Sequence, residues 1–224
     1  MWQALRRELH PHGLEIVTVA LDTDAGAARR YIERAQPEHP SLIDQAHVVD
    51  TLFGIVNVPS GVWIDEDGMI VRPPEPAWAK PRQPREIPAT ATPRQVAMIT
   101  EVNKIRFEAE KYVAALRDWA ALGRASRFAL SPEEVVRRSR PRPVEASIAA
   151  AHFEFGQHFY RAGRIDDAVR HFRRAHELQP DNWTYRRQAW SLADPEQGPT
   201  TYASDWLSDV LKIGAENYYP PLDL

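Results

Sequence analysis

The chain of 224 residues contains no cysteine. This sequence therefore has no disulfide, no thiolate metal site and no sulfur nucleophile. Its eight histidines offer little in exchange. His10 and His12 flank a proline, and His171 and His176 sit five apart on an expected helix, where they face different ways. No His-Glu-x-x-His pattern occurs. The histidines read as solvated or capping residues, and no metal site is expected. Asp65, Glu66 and Asp67 form a carboxylate cluster, but Gly68 follows them and a tight turn accounts for all four residues. Gly54 and Gly61 lack the spacing of a phosphate loop, and no serine nucleophile elbow is present. No catalytic residue and no cofactor is assigned. The aromatic tail Tyr218-Tyr219-Pro220-Pro221 reads as a packed or frayed terminus, with a docking peptide as the alternative.

The formal net charge of −3 gives no footprint for a nucleic-acid partner. No apolar run reaches the roughly 18 residues of a membrane span. The first nine residues form an amphipathic helical segment without the apolar core of a signal peptide. The chain as given reads as cytoplasmic, with no membrane partner.

The elements that must position any site follow from periodicity. Residues 14–21 are rich in β-branched residues and read as a buried strand, and Asp22-Thr23-Asp24 then starts a helix over 25–36 that stops before Pro37. Residues 41–44 read as a short strand and 45–53 as one or two helical turns ending at Gly54. Val62–Ile64 and Met69–Val71 read as antiparallel strands joined by the Asp65–Gly68 turn. Residues 73–93 hold seven prolines and read as a linker or surface wrap. Met98, Val102, Ile105, Ala109, Tyr112, Leu116 and Trp119 recur at steps of four and three. That stripe predicts one long helix over 94–123, lying against the sheet or the C-terminal helices, or pairing as a coiled coil. Ser131-Pro132 starts a shorter helix.

Further along, His152, Phe155, Gly156, Phe159, Ala168, Phe172 and Pro180 fall at the spacing of a tetratricopeptide (TPR) repeat, with His152 in place of the leading tryptophan. Gly156 and Ala168 are small where two antiparallel helices must approach. Phe155, Phe159 and Phe172 are expected to fill the space between them. The resemblance covers about 149–182, within a TPR-like helical region of 131–217. Residues 182–193 read as a capping helix, because a second repeat would place Trp190 where the close-approach glycine belongs. A single repeat needs neighbours to bury its faces, and such a module implies a protein partner.

Residues 1–72 resemble the thioredoxin-like superfamily, in its TlpA/ResA branch that grades into AhpC/TSA proteins. Four pieces carry the likeness in order: Trp2–Leu9, Leu14–Asp22, Asp50-Thr51-Leu52-Phe53-Gly54-Ile55, and Val58-Pro59-Ser60-Gly61-Val62-Trp63-Ile64-Asp65 with Gly68. The implied architecture is a partial, three-layer α/β/α thioredoxin-like fold followed by an all-α region. The resemblance implies that Pro59 is a cis-proline and that Val58 offers backbone hydrogen bonds to a bound peptide. From the residues alone, a trans proline opening an edge strand stays open. The family's first strand and its Trp-Cys-x-x-Cys motif should lie before Trp2. Either the domain is redox-silent, or the nucleophile, cysteine or selenocysteine, lies upstream of Met1. The second is favoured, because a domain lacking its central strand has open sheet edges. The expectation is a thiol-disulfide or peroxide oxidoreductase that is inactive as this chain alone. The alternative is a non-enzymatic interaction scaffold.

Overall fold

The chain folds into a mixed α/β structure in which helix predominates, with ten α-helices and four short strands among the described residues. A computed structural model describes residues 2–139, 141–193 and 202–224. Residue 1 of the expected α/β region, and residues 140 and 194–201 of the expected helical region 131–217, lie outside the described residues. None of the described helices is long and apolar enough to cross a membrane.

Helix α1 (Trp2–Leu9) buries Leu5 and Leu9 on one face. A short 3-10 turn follows, and strand β1 spans Thr18–Leu21. It is half the expected length, because Leu14 and Ile16 pack beside the α1 core rather than joining the ladder. Helix α2 (Ala25–Ala35) starts where Asp24 Oδ1 accepts the Gly26 N–H at 2.8 Å. Strand β2 (Ser41–Asp44) runs parallel to β1, with Thr18 opposite Ser41. Helix α3 (Val48–Phe53) ends at Gly54, whose φ of 71° is left-handed. Strands β3 (Ser60–Ile64) and β4 (Ile70–Pro76) pair antiparallel. Their turn is as expected: the Gly68 N–H reaches the Asp65 carbonyl at 3.0 Å, and all three turn carboxylates face Arg124. The strands form two separate two-stranded sheets, β1-β2 and β3-β4.

Two expectations about the middle of the chain are corrected. The proline-rich stretch is not all linker, since β4 runs to Pro76 and Ala77 lies in the core. Pro73, Pro74 and Pro76 are tolerated because β4 pairs on one side only, so missing N–H groups break no second ladder. The single helix over 94–123 is two helices, α4 (Pro93–Lys104) and α5 (Ala109–Leu122). The apolar stripe serves two different cores. Tyr112 and Leu116 pack with Leu5, Leu9, Trp63 and Val71. Ile105 packs instead with Trp183, Val210 and Tyr218. One straight helix could not serve both, and Ile105 takes an extended conformation (φ −61°, ψ 131°) between them.

The remaining helices are α6 (Pro132–Ser139), α7 (Val144–Arg161), α8 (Ile165–Leu178), α9 (Trp183–Ala193) and α10 (Trp206–Ile213). The hairpin of α7 and α8 turns at Gly163, with φ 73°. Gly156 sits where a Cβ would lie 2.4 Å from the Phe172 ring. Ala149, Phe153, Ala168, Phe172 and Ala175 are buried between α7, α8 and α9. The expected role of Phe155 falls instead to Phe153. Helix phase turns Phe155 outward, 54% exposed, while Phe153 is buried at 2%.

Candidate functional site

The turn between α3 and β3 contains the one residue pair that the sequence marks for binding. The Val58–Pro59 peptide bond is cis, the isomer that the resemblance implies. The turn is held chiefly from the C-terminal helical half. The Val56 carbonyl accepts the N–H groups of Trp183 and Thr184 at 2.6 and 3.2 Å, so it caps the start of α9. Asn57 Oδ1 accepts the Val58 N–H at 2.9 Å, and Asn57 Nδ2 donates to the Tyr218 carbonyl at 2.9 Å. The Val58 carbonyl accepts the Tyr219 hydroxyl at 2.6 Å and Arg187 Nη1 at 3.3 Å. The Pro59 carbonyl accepts the Ala77 N–H at 3.2 Å. The backbone groups of Val58 are thus all engaged within the chain, and the aromatic tail is packed beneath them.

Two adjoining cavities face this turn. One, of about 350 Å³, is walled by Val19, Ala20 and Leu21 of β1, by Ala28, Tyr31 and Ile32 of α2, and by Val58. The register of β1 explains the first wall. Thr18 donates to the Pro40 carbonyl at 3.0 Å, so Thr18 and Ala20 bond toward β2 while the peptide groups of Val19 and Leu21 point to the unpaired edge. The second cavity, of about 280 Å³, is walled by Asp22, His47, Val58, Thr184, Arg187 and Gln188, among others. Val58 lines both; Pro59 lines neither.

Sequence reasoning missed the polar wall of the second cavity. His47, with φ 57°, immediately precedes α3, and its Nδ1 lies 2.8 Å from Asp50 Oδ2. Both side chains are buried. His47 Nε2 faces Gln188 Oε1 at 3.4 Å, and Gln188 Oε1 also accepts the Thr23 N–H at 3.2 Å. Thr51 and Tyr185 join their hydroxyls at 2.9 Å beside them. The His-x-x-Asp spacing of 47 and 50 was visible in the sequence. Nothing local could join it to Gln188, 141 positions away. Burial pushes the Tyr219 phenol up to about 12, against the opposing charge of Arg187, so the group is a neutral donor to Val58.

This wall can hold and orient a polar ligand by hydrogen bonds, but it contains no sulfur nucleophile. Among the described residues no three histidines or carboxylates converge as a metal set. No known family model matches the chain, and no curated protein or solved structure is significantly similar to it.

Proposed function

We propose that residues 1–72 belong to a thioredoxin-like α/β/α domain that performs thiol-disulfide or peroxide chemistry, joined to a TPR-like module that contacts a protein partner. The observation that carries this reading is that Val58 faces the unpaired edge of β1 across one cavity. One more strand beside β1 would pair with the outward peptide groups of Val19 and Leu21. A segment bearing that strand, followed by a helix that opens on a thiolate or selenolate, would bring the nucleophile to Val58. No such nucleophile is among these 224 residues, and attack on a disulfide requires one.

The test is disulfide reduction with insulin as substrate. The 224-residue chain is expected to show no turnover. A chain extended by the residues encoded in frame ahead of Met1 is expected to be active, and Pro59→Ala to lower that activity. An inert extended chain defeats the enzyme reading.

One observation favours a second reading, a redox-silent scaffold. The Val58 groups that would pair with a substrate peptide are already bonded to Asn57, Arg187 and Tyr219. In that case capture of a protein partner depends on the α7–α8 surface and is unchanged by Pro59→Ala.

A further inference from the structure

An arginine drawn out of water normally meets a carboxylate. Arg6, Arg72, Arg138 and Arg186 do so, facing Glu15, Glu75, Glu134 and Asp209. Arg187 on α9 is also half-buried, yet it makes no ion pair among the described residues. Its bonds go to the Val58 carbonyl and to the hydroxyls of Tyr218 and Tyr219. A guanidinium has further N–H groups to give, and Arg187 lines the cavity of about 280 Å³. Arg82 is the other half-buried arginine without a carboxylate, but it lies over the Phe107 ring and lines neither of the two cavities.

One acid on the same wall is likewise unmatched. Asp22 follows β1, and its Oδ1 accepts the Asp24 N–H at 2.9 Å, but it pairs with no cation among the described residues, Arg187 included. The neighbouring charges are spent on one another or on backbone. Asp50 holds His47, Arg186 faces Asp209, Asp24 caps α2, and Asp44 accepts the Val49 N–H. Among the described residues the cavity thus presents one free cation and one free anion, too far apart to pair. Beside them His47, Thr184 and Gln188 form a buried wall fixed by its own hydrogen bonds.

We propose that this cavity binds a small zwitterion of the α-amino-acid class, with its carboxylate on Arg187 and its ammonium on Asp22. The volume lies below that of sites for drug-sized molecules, which suits a ligand of this size. Phosphate and other multiply charged anions fit poorly, because the Asp22 carboxylate opposes their second charge. A peptide C-terminus would satisfy Arg187 and leave Asp22 unmatched. The site needs no nucleophile and does not rest on the redox reading, so the 224-residue chain is sufficient to test it.

The test is calorimetric titration of the full chain with each common α-amino acid in turn. At least one is expected to bind. Its methyl ester lacks the carboxylate charge, and its N-acetyl derivative lacks the ammonium. Each should bind about ten- to a hundredfold more weakly, the worth of one hydrogen bond to a charged group. The ester reports on Arg187 without disturbing the bonds that this residue makes to the Val58 turn. Asp22→Asn keeps an oxygen for the Asp24 N–H, so the fold is expected to persist. It should weaken the amino acid by the same factor and should not weaken the N-acetyl derivative, whereas a merely structural role for Asp22 would weaken both. Inorganic phosphate should not displace the amino acid. The proposal is overturned if no amino acid binds, or if the ester binds as tightly as its parent. It is also overturned if Asp22→Asn has no effect or weakens both ligands, or if phosphate competes.

Discussion

Tyr219 donates its phenol to the Val58 carbonyl at 2.6 Å, and its ring stands edge-on to Trp78 with centres 5.0 Å apart. Tyr219→Phe removes the first contact and keeps the second. The Val58 carbonyl then retains only Arg187 at 3.3 Å. The phenol oxygen also bonds the Arg187 guanidinium, so its loss costs about 1–3 kcal/mol. The expected result is an unfolding free energy lowered by that amount, read as a lower urea midpoint with an unchanged slope, and faster amide exchange around Val58. Tyr31→Phe is the control, because that phenol is 66% exposed; an equal loss there would refute the assignment. The motif carrying Val58 was legible because it is contiguous. The groups that hold it were not, because Arg187 and Tyr219 stand 129 and 161 positions further on.

At the scale of elements, the hairpin of α7 and α8 shows what spacing can specify. Gly156 was marked as a close-approach position from its place in a repeat pattern, and the Phe172 ring lies 2.4 Å from where its Cβ would be. Phe172 is fully buried and cannot swing away. Gly156→Ala is therefore expected to destabilise the chain by about 1–3 kcal/mol, as overpacking of a core does, despite the helix propensity that alanine adds. A neutral or stabilising effect in chemical denaturation would show that the two helices can part without cost. Periodicity was a poorer guide where one stripe serves two cores. The stripe through Ile105 and Tyr112 is continuous in the sequence, yet Ile105 belongs to the α9–α10 side and Tyr112 to the β3–β4 side. The break between α4 and α5 has no glycine or proline to announce it. The length of β4 escaped for the converse reason, since three prolines looked like linker and are edge-strand residues.

Across the whole molecule, the α/β and helical halves are joined by polar groups, with the Val56–Val58 turn bonded to α9 and to the C-terminal tail. Buried titratable groups make such a structure sensitive to pH. His176 on α8 bonds the hydroxyl of Tyr202, which lies beyond α9 in the chain. Burial, assisted by the charge of Arg186, drives the His176 imidazole down to about 3. The folded chain therefore holds this ring neutral, while the unfolded chain protonates it near its ordinary value of about 6.5. Between those values the unfolded state binds the extra proton, so stability falls as pH falls. The contribution is constant above pH 6.5, is lost at up to about 1.4 kcal/mol per unit below it, and is fully gone near pH 3. His171 is lowered by burial and by His152, which acts in the same direction. Glu15 and Glu134, held near about 2 by Arg6 and by Arg137 and Arg138, add their own losses only below about 4.5. The window from pH 7 to pH 5 thus isolates the histidines from these carboxylates. His176→Gln removes the titrating ring there. Its stability difference from the wild type should narrow by roughly 2 kcal/mol between pH 7 and pH 5, as read from urea unfolding at each pH. A difference that stays constant across that interval would mean that His176 is not held neutral in the folded chain.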